Sequence, residues 1–313
     1  MSIASYIKVI GRGREGARPL NITQAADLFG QLLDGTVSDL EIGAFCLAMR
    51  IKGETAEEMA GFLQATHQRI QAVPRDPASK HPAVVVLPSY NGARRLPVLT
   101  PLLALLLARE GLPVLVHGCS TENSRVCASE VLQTLDIPAR AAIKSIADGE
   151  VAFVPTALLH PGLQRLLDVR RMVGLRNTAH SLVKLMNPCL GRALVISSYT
   201  HPEYAVSMAA TLELVQADAM LLRGTEGEPV ADARRMPQME AFVQGQRFLL
   251  DAGQTGPLTA LPDWPADNSA EATCVYIRAV LVGNTPVPSP IARQVAHIVQ
   301  LVQKMQTTSL SNT

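Results

Sequence analysis

Aromatic side chains are scarce in this 313-residue chain: one Trp, five Tyr and six Phe, together 4%. Whatever it binds, extensive stacking on aromatic faces is not expected. Charged residues are also sparse, 18% against roughly 25% in ordinary soluble domains. Their formal balance is +1, so net charge neither demands nor excludes a polyanionic partner; the distribution of charge has to decide. The five cysteines, Cys46, Cys119, Cys127, Cys189 and Cys274, form no Cys-x-x-Cys pair and have no histidine cluster beside them. A zinc site is therefore not expected, and the thiols read as reduced, in a cytoplasmic protein. The most apolar run, Leu102 to Ala108, is far too short to span a bilayer, so no membrane partner is expected. The N-terminus lacks the apolar region of a secretory signal.

What is present is a large core, with 48% hydrophobic residues. Up to about residue 70 the apolar spacing is helical only. Thr23 reads as the cap of a helix with Ala25, Leu28, Phe29, Leu32 and Leu33 on one face. Ser38 with Glu41, and Thr55 with Glu58, read as capping boxes for two more. Val73 to Pro82, with three prolines, reads as a linker. The period then changes. Ala83 to Leu87 is a continuous β-branched run, the pattern of a parallel strand buried on both faces. Thr100-Pro101 opens a helix that Gly111 closes, and Val114 to Val116 is a second strand. Val151 to Pro155, Arg192 to Ser197 and Ala217 to Leu222 read as further strands, and Gln246 to Leu250 as an antiparallel edge. Helical stretches fall near 162–173, 202–215 and 271–282. Pro290 to Gln306 is an amphipathic helix, followed by a polar, frayed end.

The chain is organised around Val116-His117-Gly118-Cys119-Ser120-Thr121-Glu122-Asn123-Ser124-Arg125. This stretch comes after a strand and precedes a helix expected over Val126 to Leu135. A strand, a polar loop and a helix are how an open α/β sheet presents a ligand site beyond its strand ends, with helix N–H groups that favour an anion.

Met49-Arg50-Ile51-Lys52-Gly53-Glu54-Thr55-Ala56-Glu57-Glu58-Met59 resembles a signature of the anthranilate phosphoribosyltransferase superfamily, whose fold is shared with pyrimidine nucleoside phosphorylases. The resemblance runs from about residue 1 to past 280. It implies a small all-α domain over 1–75, with a returning segment about 165–188, and a larger α/β domain with a mostly parallel sheet over 76–164 and 189–313. It also implies a homodimer formed through the α-domain. His160-Pro161-Gly162, Val169 to Arg176 and Asn187-Pro188 resemble the family's acceptor pocket. Arg170 stands where the family places the Arg that meets the anthranilate carboxylate, while the family's Phe-Asn is Ala179-His180 here.

The catalytic loops depart from the family. Its first phosphate loop, Gly-Thr-Gly-Gly-Asp, is replaced by Pro88-Ser89-Tyr90-Asn91-Gly92-Ala93-Arg94-Arg95. Pro88 removes an N–H donor, and Tyr90 adds bulk. Of Lys-His-Gly-Asn and the succeeding Ser-Ser-Lys, His117, Gly118, Ser124 and Arg125 are kept or nearly so, but Val116 and Cys119 replace Lys and Asn. The Asp-Glu pair that holds magnesium on the diphosphate becomes Gly224-Thr225-Glu226-Gly227-Glu228, with no adjacent pair. These replacements, together with Gly11-Arg12-Gly13-Arg14, resemble the YbiB-type subfamily. That resemblance implies a non-catalytic protein that binds DNA and RNA without sequence preference.

Single residues have blander readings. His117 can simply satisfy a backbone carbonyl at a strand end. Arg170, Arg171 and Arg176 can pair with Asp27, Asp34 or Asp39, and Cys119 can be a small buried hydrophobe. The distribution of charge favours the nucleic-acid reading: Arg165, Arg170, Arg171, Arg176, Lys184 and Arg192 face Asp168 alone within 160–192. Most are Arg, which suits phosphate forks. The expectation is a sequence-nonspecific DNA- and RNA-binding homodimer with phosphate contacts from Lys8, Arg12, Arg14, Arg94, Arg95, Arg171, Arg176 and Lys184. His117 and Glu228 are read as catalytic remnants. Ser89, Asn91, Gly92, His117, Gly118, Ser124, Arg125, His160 and Arg170 are read as a vestigial substrate pocket. No cofactor or metal is expected, magnesium entering only under the alternative of an active phosphoribosyltransferase. A second alternative is a sensor or adaptor that holds a small ligand in that pocket.

Overall fold

The structure, a computed structural model, describes residues 2–310 apart from Thr121 and Asn123, and leaves aside the side chains of Arg14 and of residues 307–310. The expected phosphate contact of Arg14, and the polar end of the chain past residue 310, thus lie outside the described residues.

Five helices come first: α1 (Ala4–Ile10), α2 (Gly13–Gly16), α3 (Ile22–Leu33), α4 (Asp39–Lys52) and α5 (Ala56–His67). The boxes at Ser38/Glu41 and Thr55/Glu58 start α4 and α5 as read from the sequence. The start of α3 needs correction. Asn21, not Thr23, is the cap: its side chain accepts from the Gln24 N–H, and Gln24 accepts in return from the Asn21 N–H. Asn caps at least as well as Thr, and the reciprocal Gln closes the box. Three of the six phenylalanines meet in this layer, the Phe29 ring lying 4.9 Å from Phe62 and 6.3 Å from Phe45.

After the linker come β1 (Val84–Ser89), α6 (Thr100–Arg109), β2 (Val114–Gly118), α7 (Ala128–Thr134), β3 (Val151–Pro155), α8 (Thr156–Leu159), α9 (Pro161–Val173) and α10 (Ala179–Leu182). Then come β4 (Ala193–Tyr199), α11 (Pro202–Leu214), β5 (Ala219–Arg223), β6 (Met239–Val243), β7 (Gln246–Asp251), α12 (Ala270–Leu281) and α13 (Ser289–Leu310). Among the described residues, seven strands form one sheet in the order β3-β2-β1-β4-β5-β6-β7. β1 to β5 pair in parallel, and β6 and β7 add an antiparallel edge. A helical layer beside an α/β layer with a mostly parallel sheet is the fold class expected from the sequence. Among the described residues no helix is long and apolar enough to cross a membrane.

Alternation along the strands builds the two faces. Val84 and Val86 of β1 join a core shared with α3, α5, α9 and α11; Val85 and Leu87 join a second core with α6, α7, α12 and α13. α9 and α10 pack back onto the first helices. The expected linker is stitched at its start, where Val73 bridges to Cys189. α7 begins two residues later than expected, because Val126 exchanges two backbone hydrogen bonds with Ala93 instead of entering the helix.

One buried charge ties the helical layer together. Glu58 is fully buried; its carboxylate meets Lys52 Nζ at 2.6 Å and accepts the N–H groups of Leu20 and Thr55, both at 2.9 Å. Removing the carboxylate strands a Lys52 side chain that is itself only 8% exposed. Glu58→Ala should therefore lose about 3–5 kcal/mol of unfolding free energy, read by urea titration. A loss comparable to that of an exposed ion pair, below about 1 kcal/mol, would show the network to be ornamental.

Candidate functional site

β2 and β3 lie on one side of β1, β4 and β5 on the other. Connections therefore diverge at the carboxyl ends of β1 and β4, and a crevice opens there, where open α/β sheets bind ligands. The loops after β1, β2, β4 and β5 surround a cleft of about 760 Å³, closed on its other side by the end of α4 and by α10. Arg125, Arg170, Arg176, Lys184, Tyr199 and Tyr204 are among its lining.

The loop after β1 is occupied by the chain itself. The N–H groups of Asn91 and Gly92 both donate to Glu228 Oε1 at 2.9 Å. Ser89 Oγ donates to Oε2 at 2.5 Å, and Thr100 Oγ1 to the same oxygen at 2.9 Å. Glu228 is 1% exposed. Beyond Ala93, whose N–H goes to Val126 O, the N–H groups of Arg94 and Arg95 donate to the Glu226 carboxylate, while Asn91 Nδ2 donates to its backbone carbonyl at 2.8 Å. The turn that delivers both glutamates needs Gly227 between them: its φ is +87°, and a Cβ would lie 1.8 Å from Asn91 Nδ2. Donors that could cradle a phosphate thus already hold carboxylates. Magnesium needs carboxylate oxygens open to it. Both oxygens of Glu228 carry two donors each, and those of Glu226 face backbone N–H groups, so these residues do not fit the ion. Among the described residues no group of three or more His, Cys, Asp and Glu side chains is placed to hold a metal.

His117 is an interior residue. It is fully buried on β2, its Nδ1 2.7 Å from the Tyr90 hydroxyl, which also accepts from Thr156 Oγ1 at 2.9 Å. Burial pushes its pKa down to about 3, so it stays neutral. Tyr90 does not crowd the phosphate loop; it turns inward, 2% exposed. Gly118 lets the ends of β1 and β2 close, since a Cβ there would sit 1.9 Å from Ser89 O. His160 caps α9, accepting the Leu163 N–H at 3.2 Å.

Cations gather beside the loop after β1 around one carboxylate, Glu122. It accepts from Arg94 Nη2 and Arg170 Nη2 at 2.5 Å, Arg125 Nε at 2.9 Å and Ser124 Oγ at 3.0 Å. Burial acts to raise its pKa, but the bonds from Ser124, Arg125 and Arg170 outweigh this and hold it down to about 2. Arg171 donates to Ser120 O at 2.8 Å and lies 3.6 Å from Asp168. Arg176 donates to Asn91 Oδ1 at 2.9 Å and, among the described residues, faces no carboxylate within ion-pair distance. Burial, with Arg170 and Arg125 nearby, lowers its pKa to about 10. The acidic partners considered from sequence are taken elsewhere: Asp34 by Arg69, Asp39 by Arg165, and Asp27 by the Tyr6 hydroxyl.

Two placements differ from the sequence reading. Lys184 is not on an outer basic face. It is 7% exposed, its Nζ donates to Gly227 O at 2.8 Å and Ser198 O at 3.2 Å, and burial lowers its pKa to about 7. It props the Glu226–Glu228 turn from beneath. Lys8 and Arg12 are exposed on elements that pack on α4, not in the cleft. Sequence reasoning missed Glu122 as the shared counter-ion and Thr100 as a donor, and it placed His180 in the pocket only through the family resemblance. Neither role could be read locally, because Thr100 meets Glu228 and Glu122 meets Arg94 and Arg170 across long stretches of sequence.

Glu228→Ala should leave two buried N–H groups unpaired and lower stability by about 2–4 kcal/mol. Inorganic diphosphate, able to refill the loop, should raise the melting temperature of the variant by more than that of the wild type. Equal shifts in the two proteins would mean the loop never takes an anion.

Comparison with known proteins places this geometry in a family. Residues 5–69 match the helical bundle domain of a glycosyl transferase family. The YbiB protein of Escherichia coli strain K12, described as uncharacterized, is 38% identical over 303 residues, covering 95% of this chain and 93% of that protein. The anthranilate phosphoribosyltransferase of Thermomicrobium roseum is 25% identical over 278 residues, 84% of this chain and 78% of the enzyme. The crystal structure of the anthranilate phosphoribosyltransferase (TrpD) of Thermus thermophilus superposes with a TM-score of 0.68 at 21% identity, covering 93% of this chain and 85% of that one. The fold is thus common ground with the Thermus enzyme, and the chain belongs to the anthranilate phosphoribosyltransferase superfamily, in the company of YbiB.

Proposed function

We propose that the protein is a nucleic-acid-binding homodimer on a transferase scaffold that does not turn over phosphoribosyl diphosphate, and that it holds DNA and RNA by the phosphate backbone with little sequence preference. The observation that carries this reading is the division of the cleft. Glu226 and Glu228 close the loop that a transferase needs open. Beside it, Arg94, Arg125 and Arg170 share the carboxylate of Glu122. Arg95 and Arg171 stand exposed beside them. Guanidinium groups with too few carboxylates suit phosphodiester oxygens, which accept paired N–H donors. Closing the loop also removes transition-state charge stabilisation, worth about 3 kcal/mol per lost donor.

Binding to single- and double-stranded DNA and to RNA is expected to weaken linearly in log–log form as salt rises, by about 0.9 per phosphate contact on duplex. Replacing Arg94, Arg95 and Arg171 together by Ala should weaken all sequences alike and make the duplex slope shallower by about 2.7. Arg12→Ala, measured alongside, weighs the N-terminal cations against the rim. Salt-independent binding, or magnesium-dependent consumption of phosphoribosyl diphosphate with anthranilate, would overturn the proposal.

The dimer is supported by apolar surface on α4, where Leu40, Leu47 and Ile51 are 83%, 43% and 61% exposed on one face. Met172 and Leu175, near the end of α9, are exposed as well. An isologous contact buries such faces on both copies at once. Leu47→Glu combined with Ile51→Glu should convert a sedimenting dimer into a folded monomer. A wild type that sediments as a monomer at micromolar concentration would remove the dimer from the proposal.

A further inference from the structure

The cleft has a deep side and an open one. Lys184, Ser198 and His180 line it and are buried, whereas Arg50, His201 and Tyr204 line it and are exposed. A strand end, with chain on one side only, reaches such depth more readily than a phosphodiester flanked on both sides. Its volume of about 760 Å³ lies within the range of small-ligand sites, roughly 300–1,000 Å³.

Two polar groups in it lack the partner their chemistry calls for. Arg176, half-buried between Arg125 and Arg170, has a neutral amide oxygen as its partner and, among the described residues, no carboxylate. His180 is 5% exposed, and its Nδ1 accepts the Asn177 N–H at 3.3 Å. Asn177 Oδ1 lies 3.2 Å from the same nitrogen and also accepts the Ala179 N–H at 3.0 Å. His180 Nε2 is buried with no hydrogen-bond partner among the described residues. Both residues line the cleft, and Arg176 is left without an acceptor carrying negative charge. At the mouth, the His201 and Tyr204 rings lie 6.4 Å apart, and Tyr199 lines the same wall. Rings so placed offer a planar base a stacking surface beside the phosphate site.

We propose that the cleft is an end site, which takes a terminal phosphate monoester together with the nucleotide that carries it, the phosphate on Arg176 and the base against Tyr204. A monoester dianion carries more charge than the diesters along a strand, so the site discriminates ends from backbone. The assignment rests on the proposal that the chain binds nucleic acid. The same chemistry also exists in a free nucleoside monophosphate, so the test separates the two sources.

The test uses the full chain and one short single-stranded oligonucleotide, carrying a phosphate at its 5′ end, at its 3′ end, or hydroxyls at both. The phosphorylated form that fits should bind about tenfold more tightly than the hydroxyl form, and Arg176→Gln should bring that ratio to about one. Because Arg176→Gln could perturb folding, its melting curve is compared with wild type, and Tyr204→Ala, at the exposed mouth, serves as a second variant. Tyr204→Ala should reduce the ratio about threefold while leaving competition by inorganic phosphate as it was. If a free nucleoside monophosphate competes as well as the phosphorylated strand, the site is confirmed with a free nucleotide as its source. If all three strands bind equally, end recognition is wrong while backbone binding stands. If no strand binds but the monophosphate does, the nucleic-acid reading falls and the cleft remains a nucleotide site.

Discussion

The Glu228 carboxylate on the loop after β1 is the contact on which the arrangement of the cleft depends. It bridges stretches of chain 136 and 137 positions apart in sequence and links the two sides of the switch point. A buried carboxylate is expensive unless every lone pair finds a donor. Here two backbone N–H groups and two hydroxyls supply that match, so the loop has a single geometry. The consequences spread outward. Asn91, fixed by its own N–H, presents Oδ1 to Arg176 and Nδ2 to the Glu226 carbonyl. Lys184 holds Gly227 from the opposite side. The loop is thus bonded to the turn over residues 224–228 at Ser89, Asn91, Gly92, Arg94 and Arg95.

An anion-binding loop that holds its own anions changes the field of the cleft as well as its chemistry. Donors already bonded to Glu226 and Glu228 contribute little to an incoming phosphate, which leaves the attraction to the neighbouring guanidinium groups. There Glu122 keeps Arg94, Arg125 and Arg170 from repelling one another apart, yet cannot neutralise them all. The lowered pKa of Arg176 registers that shortage, with burial its largest cause and the neighbouring arginines next. In a low-dielectric crevice such an imbalance is felt far more strongly than at an open surface.

Much of the fold is legible in the sequence because it is written in short-range patterns. Ala83 to Leu87 reads as a doubly buried strand without any knowledge of its neighbours, and Ser38 with Glu41 announces a helix by itself. Misreadings arise where two local signals compete or where a signal is broken. Thr23 hides Asn21 because both can cap. β6 escapes a reading of the sequence because Glu240 interrupts its apolar run, and only the structure shows that Arg247 on β7 satisfies that charge. The site is legible as motifs but not as contacts. A count of cations over 160–192 treats Lys184 like Arg171, although one is buried beneath a turn and the other exposed. The Glu228–Asn91 bond has no sequence signal, since departures in two distant loops acquire meaning only when the fold brings them together.

That separation explains how a scaffold can outlive its loops. The sheet is specified by alternation that fills two cores, and nothing in Val84 to Leu87 depends on the loop beyond Ser89. The loops answer to a different constraint, which is that donors buried at the strand ends must find acceptors. A bound diphosphate can meet that need, and so can Glu226 and Glu228. Because the chain supplies the acceptors itself, the donors of the loop are met without a ligand. Among the described residues the partner that Arg94, Arg125 and Arg170 share is Glu122, a partly exposed carboxylate that an incoming phosphate can rival for Arg94, whose side chain is already half exposed.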